Sequence, residues 1–65
     1  MKILIENYLQ GLIERERHAW QSFKSRPHTE KALADEYAAF LDRIARIAAF
    51  QGYVHDKELK VLVET

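Results

Sequence analysis

The sequence predicts an all-α fold: an antiparallel helical hairpin with a short C-terminal element, assembling as a dimeric helical bundle. Apolar residues recur with the helical period in two long segments, and the only proline lies between them. The chain of 65 residues is also too short to cover both apolar faces. We therefore expect a single helical domain spanning residues 1–65. Its expected elements are a helix at about 4–25, a turn at 25–29, a helix at about 29–51 and a short element at about 56–64.

The first helix is indicated by an apolar stripe on one side. At 100° per residue its apolar side chains fall in one arc of roughly 140°. They are Ile5, Tyr8, Leu9, Leu12, Ile13, Ala19, Trp20 and Phe23. Glu14 and His18 lie on the opposite, polar side. Pro27 disfavours a helical backbone at Arg26, so we expect the helix to end near Ser25.

The second helix has a wider apolar surface than one neighbouring helix would cover. Thr29 can cap its start, and Gly52 is placed to cap its end in a left-handed conformation. One side carries large apolar residues, and a strip of small ones runs beside it. Because small residues permit close backbone approach, we expect a second helix contact there. The predicted oligomer interface is Leu33, Tyr37, Ala38, Leu41, Ile44, Ala45 and Ala48.

The C-terminal stretch YVHDKELKVLVET leaves two alternatives open. The favoured one is a short helix capped by Asp56, in which Leu59, Leu62 and Val63 share a face. The other is a strand, because the end of this stretch is rich in β-branched residues. In that case the segment KILIE near the start of the chain is the natural partner strand.

Several chemical functions are disfavoured by residue content. The chain has no cysteine, which excludes disulfides and thiolate metal sites and suits the cytoplasm, where we place the protein. His18, His28 and His55 lie one per segment and lack the spacing of a helical metal site, so we expect no metal. No glycine-rich phosphate loop and no nucleophile–histidine–acid pattern is present. We therefore expect no enzyme and no cofactor.

Membranes and nucleic acids are weaker candidates as partners than proteins. No apolar run approaches the roughly 18 residues of a membrane span. The formal net charge is zero, whereas small nucleic-acid binders are normally basic. A helix-turn-helix centred near Gly52 would place Asp56 and Glu58 at the start of its recognition helix, where phosphates repel them. The alternative function is a nucleic-acid-binding regulator that uses the mildly basic hairpin tip.

The favoured function is a small non-enzymatic protein-interaction module that acts as an adaptor or regulator. We expect its first partner to be a second copy of the chain, in a homodimer. The organisation resembles that of small helical accessory proteins carried by bacteriophages, plasmids and bacteria. Its second partner surface is predicted at the basic tip, where aromatic and cationic side chains are close in sequence. These residues are Arg15, Arg17, Trp20, Lys24 and Arg26.

Glu16, in the segment IERERHAW, is the one charged residue near the centre of the first helix's apolar arc. No basic residue lies three or four positions away on its own helix, so its carboxylate needs a donor from elsewhere. Folding the hairpin about residue 27 brings Glu16 opposite Tyr37, which we predict as its partner. Trp20 and an arginine of a second subunit are the alternatives. We interpret Glu16 and Tyr37 as polar residues that set helix register or oligomeric state.

Overall fold

Two antiparallel helices and a two-stranded ribbon make up the fold in a computed structural model that describes all 65 residues. In chain order the elements are β1 (Lys2–Leu4), α1 (Ile5–Lys24), α2 (Glu30–Asp56) and β2 (Leu62–Glu64). The two helices pack against each other, which confirms the predicted helical hairpin. The ribbon closes the end of the hairpin opposite the turn.

The turn between the helices is short and is held by side chains. The Thr29 hydroxyl oxygen accepts a 3.1 Å hydrogen bond from the backbone N–H of Ala32, so Thr29 caps α2 as the sequence predicted. The His28 ring stacks on Phe23 at the end of α1, with ring centroids 3.9 Å apart. Contacts from both helices thus fix the path of the chain around Pro27.

The second helix continues past Gly52, and the predicted cap at that glycine is wrong. The backbone of Gly52 is helical, and its φ is not positive. A Schellman motif forms six residues later, where Glu58 adopts a left-handed φ of 52°. The N–H of Leu59 donates to the carbonyl of Val54 at 3.1 Å, as that motif requires. Val54 is only 1% exposed, so burial in the last turns of α2 stabilises the extra helix.

The C-terminal element is a strand, so the favoured short helix over residues 56–64 is wrong and the alternative is correct. Strands β1 and β2 pair antiparallel, with Ile3 opposite Val63. Beyond the strands, the N–H of Ile5 donates to the carbonyl of Val61 at 2.8 Å. The pairing gives the backbone long-range hydrogen-bond partners and half-buries Ile3 and Val63, neither of which an isolated short helix would achieve.

The hairpin is a flat layer that encloses very little. It measures 43 × 24 × 11 Å, and the smallest dimension is close to the diameter of one helix. Only Leu9, Ile13 and Val54 are buried, with 6%, 7% and 1% of their surfaces exposed. Each helix therefore has one covered side and one side that no other part of the chain covers.

Glu16 bridges the two helices through an ion pair. Its carboxylate accepts a 2.8 Å hydrogen bond from Nε of Arg43 on α2. The prediction that Tyr37 is its partner is wrong, because Tyr37 packs on the Trp20 ring instead, with centroids 5.1 Å apart. A second guanidinium nitrogen of Arg43 donates to Glu36 at 3.3 Å. These hydrogen bonds, above all the one to Glu16, raise the pKa of Arg43 above its ordinary value.

Removing Arg43 should harm the hairpin more than removing Glu16. Arg43→Met leaves the carboxylates of Glu16 and Glu36 without a shared cation, so we expect the melting temperature to fall by a few degrees. Glu16→Leu should keep or raise it, because it extends the apolar side of α1 and leaves Arg43 paired with Glu36. Thermal unfolding followed by circular dichroism at one fixed protein concentration measures both effects.

Arg17→Met is the matched control for this comparison. Arg17 also pairs with a glutamate, Glu14, at 3.1 Å, but within one turn of α1 and with its side chain 61% exposed. Its loss should leave the melting temperature nearly unchanged. Equal destabilisation by Arg43→Met and Arg17→Met would show that the interhelical bridge has no special role.

Candidate interaction surface

The uncovered side of α2 carries a regular row of small residues, which we call the α2 seam. It consists of Ala34, Ala38, Leu41, Ala45, Ala48 and Gly52, all exposed. Their spacings alternate between four and three residues. This alternation keeps side chains in one line along a helix, as in helices that pack against each other. By projection, the seam lies roughly 150° around α2 from the side that packs on α1. Nothing in the chain covers it.

The predicted interface residues divide between the two sides of α2. Leu33 and Ile44 are half-buried and share the covered side with the buried Val54. They therefore contribute mainly to packing within the hairpin, whereas the rest remain available to a partner. The exposed ones are Tyr37, Ala38, Leu41, Ala45 and Ala48, of which Tyr37 and Leu41 are 45% and 46% exposed.

The two edges of the seam differ in chemistry. One edge carries Asp42 and Arg46, which form an ion pair at 3.1 Å and whose side chains are 60% and 80% exposed. By projection, the other edge carries the aromatic side chain of Tyr37, which is 45% exposed. An apolar row between a charged edge and an aromatic edge can bury its centre against a partner while the ion pair stays in water.

Gly52 is not required by any contact within the chain. A Cβ atom at this position would meet no other atom within 4 Å. A glycine inside a helix destabilises it by about 1 kcal/mol relative to alanine. Gly52 is therefore the smallest residue of the seam, and no contact within the hairpin requires a glycine there.

Trp20 lies in an aromatic cluster between the helices. Its ring centroid is 5.1 Å from that of Tyr37, 5.9 Å from that of Phe40 and 6.2 Å from that of Phe23. The Trp20 side chain is half-buried, and these rings pack around it. Trp20 therefore stabilises the tip half of the hairpin and offers a partner only the part of its ring that remains exposed.

The basic residues predicted as a partner surface do not form one patch. By projection, Arg15 and Arg17 lie on opposite edges of α1. Arg15 lines a shallow groove with Tyr8 and Leu12 on the side of the hairpin toward the terminal strands. Arg17 is paired with Glu14, as described above. Lys24 and Arg26 are exposed near the turn and form no ion pair.

Another group of titratable residues lies at the end of the hairpin that carries the two-stranded ribbon. His55 Nδ1 lies 3.6 Å from a carboxylate oxygen of Glu6, and both line an open groove with Glu58 and Lys60. No group of three or more histidine, aspartate or glutamate side chains in the chain is arranged to hold a metal ion. Neither helix has the length and apolar content needed to cross a membrane.

Known proteins give no guide to what these surfaces bind. Comparison with protein families, curated proteins and solved structures found no match to this chain. The choice of a partner for the α2 seam therefore depends on its exposure, its small side chains and the charges at its edge.

Proposed function

We propose that the protein is a small, non-enzymatic protein-interaction module and that the α2 seam is its main interaction surface. The observation that supports this most strongly is an apolar row about 27 Å long that no part of the chain covers. Contiguous exposed apolar surface of this kind is typical of sites that bind other proteins. Tyr37 and Leu41, each nearly half exposed, are the large side chains that such a partner would bury.

The simplest partner is a second copy of the chain. A hairpin with three buried residues buries more apolar surface when its uncovered side pairs with an identical one. Two-fold dimers are also the commonest protein oligomers. A surface one helix wide is at the small end of the range for stable interfaces, so we expect a dissociation constant in the micromolar range.

An adaptor or regulator needs a second surface that stays free when the dimer forms. The residues near the turn meet this need, because Lys24 and Arg26 lie outside the seam and are exposed. An acidic protein surface is the partner chemistry that they favour. Exposed cations of this kind mainly change how fast an acidic partner associates.

Ala45→Glu should convert the dimer to a monomer, because it introduces a carboxylate at the centre of the apolar row. The matched control is Ala19→Glu, the same change at an exposed alanine on α1. Light scattering coupled to gel filtration should give a dimer for the unchanged chain and for Ala19→Glu, and a folded monomer for Ala45→Glu. An unchanged chain that is folded and has the 7.7 kDa mass of a monomer at 100 µM or so would contradict the proposal.

The alternative function is nucleic-acid binding, which the unpaired Lys24 and Arg26 favour. The helix-turn-helix form of this alternative lacks its recognition helix, because residues 57–61 lie outside any helix and Leu62–Glu64 is a strand. The neutral net charge also argues for weak binding.

We expect duplex or single-stranded DNA to bind with a dissociation constant weaker than about 1 µM at roughly 150 mM salt, and to weaken further as salt rises. Fluorescence polarisation with random sequences measures this. Binding in the nanomolar range that is lost in a Lys24→Ala/Arg26→Ala variant, but kept in Ala45→Glu, would make nucleic-acid binding at the tip the better function.

A further inference from the structure

We propose that two copies of the chain pair their α2 seams antiparallel, in the register that sets residue 41 of one copy opposite residue 45 of the other. This inference rests on the proposed function and names the partner and its orientation. In this register the residue numbers of facing seam positions add up to 86. Ala34 faces Gly52, Ala38 faces Ala48, and Leu41 faces Ala45.

The register follows from the spacing of the seam. The seam residues form two interleaved sets, each with a spacing of seven residues. In an antiparallel helix pair, a residue of one set faces a residue of the other set. The four-and-three spacing from Ala34 to Gly52 is symmetric about residue 43. A two-fold axis at that point therefore engages all six seam residues of both copies. Sliding one helix by a heptad leaves two seam residues at one end of each copy without a facing partner.

The single large residue of the seam favours the antiparallel orientation. Leu41 is the only seam residue larger than alanine. In a parallel pair in register, the two Leu41 side chains meet and hold the helices apart, which leaves voids between the alanines on either side. In the antiparallel pair each Leu41 packs on Ala45 of the other copy, so a large side chain fits beside a small one at both places. The alanines and Gly52 can then approach closely.

The charged edge is compatible with the same axis. Asp42 lies one residue from residue 43 and Arg46 lies three residues from it on the same edge, already paired at 3.1 Å. The two-fold axis brings both Asp42 carboxylates to the centre and places one Arg46 beyond each of them. Measured along the helix axis, the backbone of each Asp42 is about 3 Å from the level of Arg46 in the other copy. The four charges thus sum to zero, and each carboxylate has a cation from both chains within reach.

The overall shape of the dimer follows from the position of the seam on α2. Because the seam and the α1 side of α2 are roughly 150° apart, the dimer is a layer of four helices in the order α1, α2, α2, α1, and not a square bundle. The antiparallel pairing also places the turns of the two hairpins, with Lys24 and Arg26, at opposite ends of the layer, about 40 Å apart.

Single cysteines introduced into this cysteine-free chain test the orientation directly. Ala38→Cys and Ala48→Cys are prepared as separate full-length proteins and oxidised alone and as an equal mixture. In the proposed register, positions 38 and 48 of different copies face each other. Two copies of the same variant keep their thiols about 15 Å apart along the helix, too far for a disulfide. We expect a disulfide-linked dimer in the mixture, at least tenfold above either variant alone.

Ala19→Cys, mixed with either variant, gives the background of random collisions. Cross-linking of Ala48→Cys with itself would mean a parallel pair, which overturns the antiparallel inference and leaves the α2 seam as the interaction surface. No cross-link above background, with a dimer still seen by light scattering, would place the dimer contact elsewhere and overturn the inference. A monomer by light scattering would overturn both the inference and self-association through the seam.

Discussion

The structure depends on one constraint: two helices side by side form a single layer, and a single layer cannot enclose a core. Only Leu9, Ile13 and Val54 are buried, although hydrophobic residues make up 48% of the sequence. Each helix covers one side of the other and leaves the rest of its apolar surface to solvent. The terminal ribbon and the Glu16–Arg43 ion pair join the helices at separate points without closing the layer. The exposed α2 seam is the direct consequence.

Local sequence patterns were sufficient for the helices and the turn, because their causes are local. The period of α1, the break at Pro27 and the cap at Thr29 each depend on residues within one or two turns. The strand β2 was not favoured because its partner, β1, lies about sixty residues away in the sequence. The end of α2 was misplaced because glycine is the usual left-handed cap, whereas burial of Val54 extends the helix and Glu58 adopts that conformation.

The sequence indicated the small residues of α2 but not the side of α2 that faces α1. Ala38, Ala45 and Ala48 are exposed, whereas periodicity alone could not show which apolar side of α2 packs on α1. Leu33 and Ile44 were therefore assigned to the interface, although they lie on the covered side. The sequence did not predict Arg43 as the partner of Glu16, because residues of the two helices were paired by their equal distance from the turn. Side chains lean toward the start of their own helix, so the long Arg43 side chain reaches back to the level of Glu16.

The most direct test is a dilution series followed by nuclear magnetic resonance of the alanine methyl groups. If the α2 seam is covered by another copy, the signals of Ala38, Ala45 and Ala48 should move as the protein is diluted through the micromolar range. Those of Ala32 and Ala39, which are half-buried on the covered side, should stay nearly fixed. Seam signals that do not change on dilution, with the protein monomeric throughout, would contradict an interface on this side of α2.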